Sequence, residues 1–160
     1  MENLLYDLKI CRNNTKGAIF ILAFRTSSFF AKSILLKIIG FPIRMIYKIL
    51  IQWVFGIDIP DTTVIGRGFQ VFHGQGLVIN ENTIILNNVT VRQNTTIGNT
   101  KPGGPSPIIE SNVEIGANCV VIGNINIGSN SIIGAGTVVV KSIPANSIVV
   151  GQPGKIIKQI

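Results

Sequence analysis

The amino-acid sequence predicts a mainly β protein, a parallel β-solenoid preceded by a short α-helical region. Two observations carry this. From residue 79 onward aliphatic residues recur every six positions, and before Gly56 the apolar spacing is helical instead. With 160 residues, 46% of them hydrophobic and 13% charged, the chain is long and apolar enough for one folded domain with a short appendage.

The first segment, residues 1–56, is a helical arm. Apolar residues recur there at three and four spacings (Leu35, Ile38, Ile39, then Ile46, Ile49, Leu50, Trp53), with a break at Gly40 and Pro42. Eight Lys or Arg stand against Glu2 and Asp7 in this segment, whereas residues 57–160 hold six against five, so six of the seven net positive charges belong to the arm. Arg25, Lys32, Lys37, Arg44 and Lys48 interrupt its apolar runs, and a spanning helix needs about 20 nearly uninterrupted apolar residues, so no transmembrane helix is expected. Arg25 also breaks the core of any secretory signal, and Cys11 and Cys119 make no disulfide framework; the cytoplasm is the expected compartment.

The repeat follows. Stepping by six from residue 79, the column reads Ile79, Ile85, Val91, Ile97, Gly103, Ile109, Ile115, Val121, Ile127, Ile133 and Val139, aliphatic at ten of eleven positions. Two residues earlier the column is mostly small or β-branched, as at Thr83, Val89, Thr95, Val113, Cys119, Ser131 and Thr137. A six-residue period fits neither a helix nor a hairpin series. It suits a solenoid in which each hexad supplies one short strand and one turn, with aliphatic residues inside and small ones at the crowded corners. "NTKPGGPSP", Asn99 to Pro107, cannot form a regular coil with that proline content and reads as an extruded loop. The solenoid is expected over 57–154, with 155–160 a C-terminal tail.

The sequence contains one histidine, His73. It lies six residues before Ile79, in phase with the aliphatic column, so an interior role is open, and Asp58 is open as a cap at the junction of arm and repeat. "IGANCV", "IGSNSI", "IGAGTV" and the closing "IPANSIVVGQPGKII" resemble the hexapeptide-repeat acyltransferases. That resemblance implies a left-handed parallel β-helix, homotrimeric assembly and acetyl-CoA as co-substrate.

"GIDIPDTTVIGRGFQVFHGQGLVI" is similar to the active-site segment of serine acetyltransferases, in which an aspartate precedes a histidine by fifteen residues, as Asp58 precedes His73. The resemblance implies that His73 is the general base and Asp58 its partner. The chemistry agrees: an alcohol attacks a thioester efficiently at neutral pH only if its proton leaves as the bond forms, and imidazole titrates in the right range. This chain departs from the serine enzymes in having Phe72 where they have an aspartate, and Pro105 and Ser106 where they have Arg and His. Those groups recognise the charged ends of an amino acid, so their loss argues against serine.

The short basic-apolar arm, with "FHGQGLVIN", "VRQNTTIGN" and "VVGQPGK", resembles the capsule and exopolysaccharide O-acetyltransferases of the colanic-acid type. This implies a sugar hydroxyl as acceptor, free or on a lipid-linked oligosaccharide, with Phe72, Gln75 and Gln93 as acceptor-binding candidates. For the co-substrate the resemblance points to Asn99 near the thioester, Ala117 and Ala135 along the pantetheine, and Lys141 and Lys155 at the phosphates. Each of these also has a plain surface role open to it. The loop 99–107 would close over a neighbouring subunit's site. The arm has three readings: packing within the trimer, peripheral contact with the inner membrane surface, or nucleic-acid binding, the last disfavoured because its cations sit among bulky aliphatics.

No metal is expected. The carbonic-anhydrase relatives of this fold need three histidine ligands, and one histidine per chain reaches that number only on a threefold axis. A scaffold that has lost catalysis is the remaining rival.

Overall fold

The computed structural model describes residues 2–160. The arm consists of α1 (Glu2–Ile10), α2 (Thr15–Phe30), α3 (Ile34–Ile39), α4 (Phe41–Tyr47) and a π-helical turn at Lys48–Val54. The break falls where the sequence places it: Gly40 ends α3 and starts α4, and Pro42 sits in the first turn of α4, where a missing N–H costs nothing. No helix among the described residues is long and apolar enough to cross a membrane.

From Ile57 the chain winds through about five coils that build three sheets, the fifth coil meeting the second sheet only through a single bridge from Ile143 to Ile127. The first sheet stacks β1 (Ile57–Asp58), β4 (Leu77–Ile79), β7 (Thr96–Gly98), β10 (Val120–Ile122) and β13 (Val138–Val139) in parallel. The second stacks β2 (Val64–Ile65), β5 (Ile84–Ile85), β8 (Ile108–Ile109) and β11 (Asn126–Ile127). The third stacks β3 (Gln70–Phe72), β6 (Thr90–Arg92), β9 (Glu114–Ile115), β12 (Ile132–Ile133) and β14 (Ser147–Val150). Residues 155–160, set apart as a tail in the sequence reading, continue this third sheet: β15 (Lys155–Gln159) turns back and pairs antiparallel with β14.

The hexad column is the inner lining. Ile79, Ile85, Val91, Ile97, Ile109, Ile115, Val121, Ile127, Ile133 and Val139 are all buried. Each such side chain contributes about 1.5–3 kcal/mol on burial. Thr83, Val89, Thr95, Val113, Cys119, Ser131 and Thr137, two residues earlier, are buried as well.

One corner, between the second and third sheets, is built by residues at positive φ: Gly68, then Asn88, Asn112, Asn130 and Asn146. Asparagine tolerates this left-handed conformation better than most residues. Here the side chains also form a ladder, Asn88 Nδ2 donating to Asn112 Oδ1 at 3.1 Å, Asn112 to Asn130 at 3.0 Å and Asn130 to Asn146 at 3.0 Å.

The arm closes the first coil. Phe20 and Phe24 stack, Phe20 meets Phe69 edge-on and Phe24 meets Tyr47, covering the open end of the core. Polar contacts fix the docking. Arg25 pairs with Asp7 at 2.8 Å and donates to the Ile65 carbonyl at 2.7 Å, Arg44 pairs with Asp61 at 2.7 Å, and Tyr47 Oη donates to the Ile59 carbonyl at 2.7 Å. α3 buries none of its residues within the chain, so the apolar face read from Leu35, Ile38 and Ile39 is presented outward.

Candidate active site

The register of the coils explains where His73 lies. Ile79 pairs with Ile97 and Ile115 with Ile133, eighteen residues apart, three hexads per coil. Val71 pairs with Val91, and Ile57 with Leu77, twenty apart. The first coil therefore carries two extra residues, and they fall between the inward Val71 and the inward Ile79. The phase argument that allowed His73 an interior position is corrected by this insertion: Val71 fills the core, and His73 is exposed on the enlarged corner. His73 and Gly74 both have positive φ, 66° and 74°. For histidine that conformation is uncommon, and it turns the side chain out of the stack. A Cβ on Gly74 would lie 2.7 Å from the Ile57 side chain, so the corner is tight as well as bent.

Several expected site residues follow the same corner from coil to coil. Asn94 N donates to the Gln75 carbonyl, Asn118 N to the Gln93 carbonyl and Gly136 N to the Ala117 carbonyl. Gln75, Gln93, Ala117 and Ala135 thus form one ridge running up from His73. Gln93 Oε1 is buried without a hydrogen-bond partner among the described residues. Phe72 is half-buried beside its register partner Arg92, whose guanidinium stands 5.3 Å from the ring centre.

Asp58 and Asn99 lie elsewhere, on the outer face of the first sheet. They line a shallow depression with Val78, Asn80, Thr96 and Gly98, whereas His73 lines a separate one with Lys16, Val54, Phe55, Ile57 and Gln75. No hydrogen bond joins His73 to Asp58 among the described residues. The Asp58 carboxylate instead accepts from Gln52 Nε2 at 3.2 Å.

The loop 99–107 adds one full hexad, since Ile97 pairs with Val121, twenty-four residues on. It is tied down where Ser106 Oγ donates to Asn80 Oδ1 at 2.9 Å. Lys141 follows β13 and Lys155 opens β15; both are exposed, and neither forms an ion pair among the described residues.

Lys16, Arg92 and Gln52 are neighbours of the candidate site that the sequence reading did not single out. Asn14 caps α2 and also donates to the Val71 carbonyl at 2.7 Å, which sets the helix start against β3. In the amide orientation that satisfies both neighbours, Gln75 Nε2 donates to the His73 carbonyl at 2.9 Å and Gln75 Oε1 accepts from Lys16 Nζ at 3.0 Å. "NNTK" signals a helix start, but nothing in the sequence brings it to a turn more than fifty residues on.

The bacterial transferase hexapeptide family (six repeats) matches residues 106–141. The Escherichia coli (strain K12) protein WcaB, named as a colanic acid biosynthesis acetyltransferase, is 34% identical over 158 residues, 96% of this chain and 98% of the relative. A serine acetyltransferase of Staphylococcus aureus (strain Mu50 / ATCC 700699) is 46% identical over 106 residues, 65% of this chain and half of that relative. The crystal structure of Brucella abortus strain S19 serine acetyltransferase in complex with coenzyme A superposes with a TM-score of 0.84 at 28% identity, over 99% of this chain and 67% of the other. Coiled repeat and helical arm are both matched, and the chain belongs to the hexapeptide-repeat acetyltransferases.

Proposed function

We propose that the protein transfers an acetyl group from acetyl-CoA to a sugar hydroxyl during capsule or exopolysaccharide synthesis, with His73 as general base. The observation that carries the sugar reading is the sequence likeness to WcaB over nearly the full length of both chains, whereas the Staphylococcus aureus serine acetyltransferase aligns with 65% of this chain and half of its own length; the arm's fold is shared with the solved serine acetyltransferase. Phe72 supports it by replacing a carboxylate that an amino-acid ammonium would need.

In the transfer, the imidazole of His73 takes the hydroxyl proton as the oxygen bonds to the acetyl carbon. The carbon–sulfur bond then breaks, and the imidazolium returns the proton to the departing thiolate, giving the ester and free CoA. No covalent enzyme intermediate is needed. Asp58 would serve as the imidazole's partner on leaving Gln52, fixing the tautomer and stabilising the imidazolium. Asn99 would stand near the thioester, Ala117 and Ala135 would leave room for the pantetheine along the ridge, and Lys141 and Lys155 would meet the phosphates. Homotrimeric assembly would set this ridge against a neighbour and cover outward apolar residues of the arm such as Ile34, Ile38 and Trp53. Contact of the same face with the inner membrane surface is the competing role for it.

Serine as acceptor is the second reading, favoured by the higher identity within the coils. Thiol release from acetyl-CoA with separate panels of serine, free sugars and lipid-linked oligosaccharides discriminates. Sugar-dependent release that falls about a hundredfold or more in His73→Ala is the expected result. Release with serine alone would replace the sugar reading.

A further inference from the structure

The depression that His73 lines carries one cation, Lys16, and no carboxylate among the described residues. The lysine's only polar contact there is the neutral amide of Gln75, and it belongs to neither ion pair of the described residues, Arg25–Asp7 and Arg44–Asp61. Arg92, over the ring of Phe72, is also outside those pairs. Residues 8–57 contain no Asp or Glu at all, and α2 begins beside the site with no acidic residue in its first turn. Asp58 belongs to the neighbouring depression.

The position of Lys16 is set by packing. Asn14 holds the start of α2 to the Val71 carbonyl, and a Cβ on Gly17 would lie 2.7 Å from that same carbonyl. The helix start therefore cannot shift from the strand that leads into His73, and the lysine stem grows from a fixed point.

We propose that Lys16 forms an anion subsite beside His73, and that the acceptor carries a carboxylate or phosphate close to the hydroxyl that is acetylated. This rests on the sugar-acetylation reading. The anion belongs to the acceptor because the thioester must lie at His73 for transfer, and the whole pantetheine arm then separates the CoA phosphates from Lys16. A neutral sugar hydroxyl gains one hydrogen bond from the ammonium, whereas a carboxylate or phosphate gains a charge-assisted bond between opposite charges, among the stronger polar contacts.

The test uses the full chain, acetyl-CoA and three acceptors: a glucuronate-containing oligosaccharide, its carboxyl-reduced neutral counterpart, and glucose 1-phosphate. The wild type is expected to prefer one of the two anionic acceptors, and which one identifies carboxylate or phosphate. Lys16→Gln should raise KM for that acceptor roughly tenfold to a hundredfold. It should leave the neutral sugar, the KM for acetyl-CoA and the melting temperature unchanged, and Lys16→Arg should restore much of the preference. Equal loss with charged and neutral sugars overturns the subsite, as does an effect confined to the KM for acetyl-CoA. A wild type that prefers the neutral sugar overturns it while leaving sugar acetylation standing. Release with serine alone overturns both.

Discussion

The coils between Ile109 and Val139 and the two enlarged corners before them differ in regularity, and the difference separates stability from the candidate chemistry. From Ile109 to Ile127 and from Val121 to Val139 the spacing is eighteen residues, with small residues and asparagine at the corners, and the last coil is then two residues short, Ile133 pairing with Val149. Before Ile109 the first coil gains two residues at His73, Ile79 to Ile97 is a regular eighteen, and a further hexad enters at 99–107. Corners of regular length on the same edge present Asn94 and Asn118 at positive φ, whereas the first carries two added residues and presents His73, so the enlarged corner displays the candidate base.

The largest expected effect comes from abolishing that enlargement. Deleting Gly74 and Gln75 restores an eighteen-residue first coil while keeping His73 and Asp58. Activity should fall by two orders of magnitude or more with circular dichroism unchanged; an active deletion variant would separate catalysis from the enlarged corner. The regular coils should show the opposite behaviour. Ile127→Ala, a fully buried side chain far along the solenoid, should cost about 2–5 kcal/mol in urea unfolding, with KM retained by the folded fraction.

Next comes the seam between arm and solenoid. Burial alone would raise the Asp61 carboxyl, but the hydrogen bonds from Arg44 and Ser27 and the Arg44 charge outweigh it and hold the group below the usual carboxylate range. A lowered folded value means the stabilisation is present above the unfolded value, about 4, and is lost as pH falls through the folded one. Asp61→Asn should therefore cost roughly 1–3 kcal/mol at pH 7. It should also be less sensitive than the wild type to acidification below about pH 4, measured by urea titrations at both pH values. The smallest effect concerns the asparagine corner. Asn130→Ala loses two ladder bonds and strains a φ of 60°, costing about 1–2 kcal/mol, whereas Asn130→Gly keeps the φ and should cost less.

Much of the solenoid was legible because its signal is local and repeated. Ile79 through Val139 announce the inner lining six residues at a time, and "GGPSP" announces the loop that breaks it. The His73 corner was less legible for a related reason. Counting backward by six from Ile79 crosses the two-residue insertion unnoticed, and the inward residues Val71 and Ile65 then fall out of phase. The arm's helices were readable from spacing, but their partners were not. Ridge and depression also divide the expected site residues, with Gln75, Gln93, Ala117 and Ala135 rising from His73 while Asp58 and Asn99 share the adjacent face.

The sequence by itself determined the coil, its length and its lining, because a periodic pattern of aliphatic side chains has one economical way to leave water. Tertiary structure decided what surrounds His73. Lys16 reaches that corner from the first turn of α2, and Arg92 covers the neighbouring Phe72 from the next coil; such meetings depend on how distant segments dock, which no local pattern encodes.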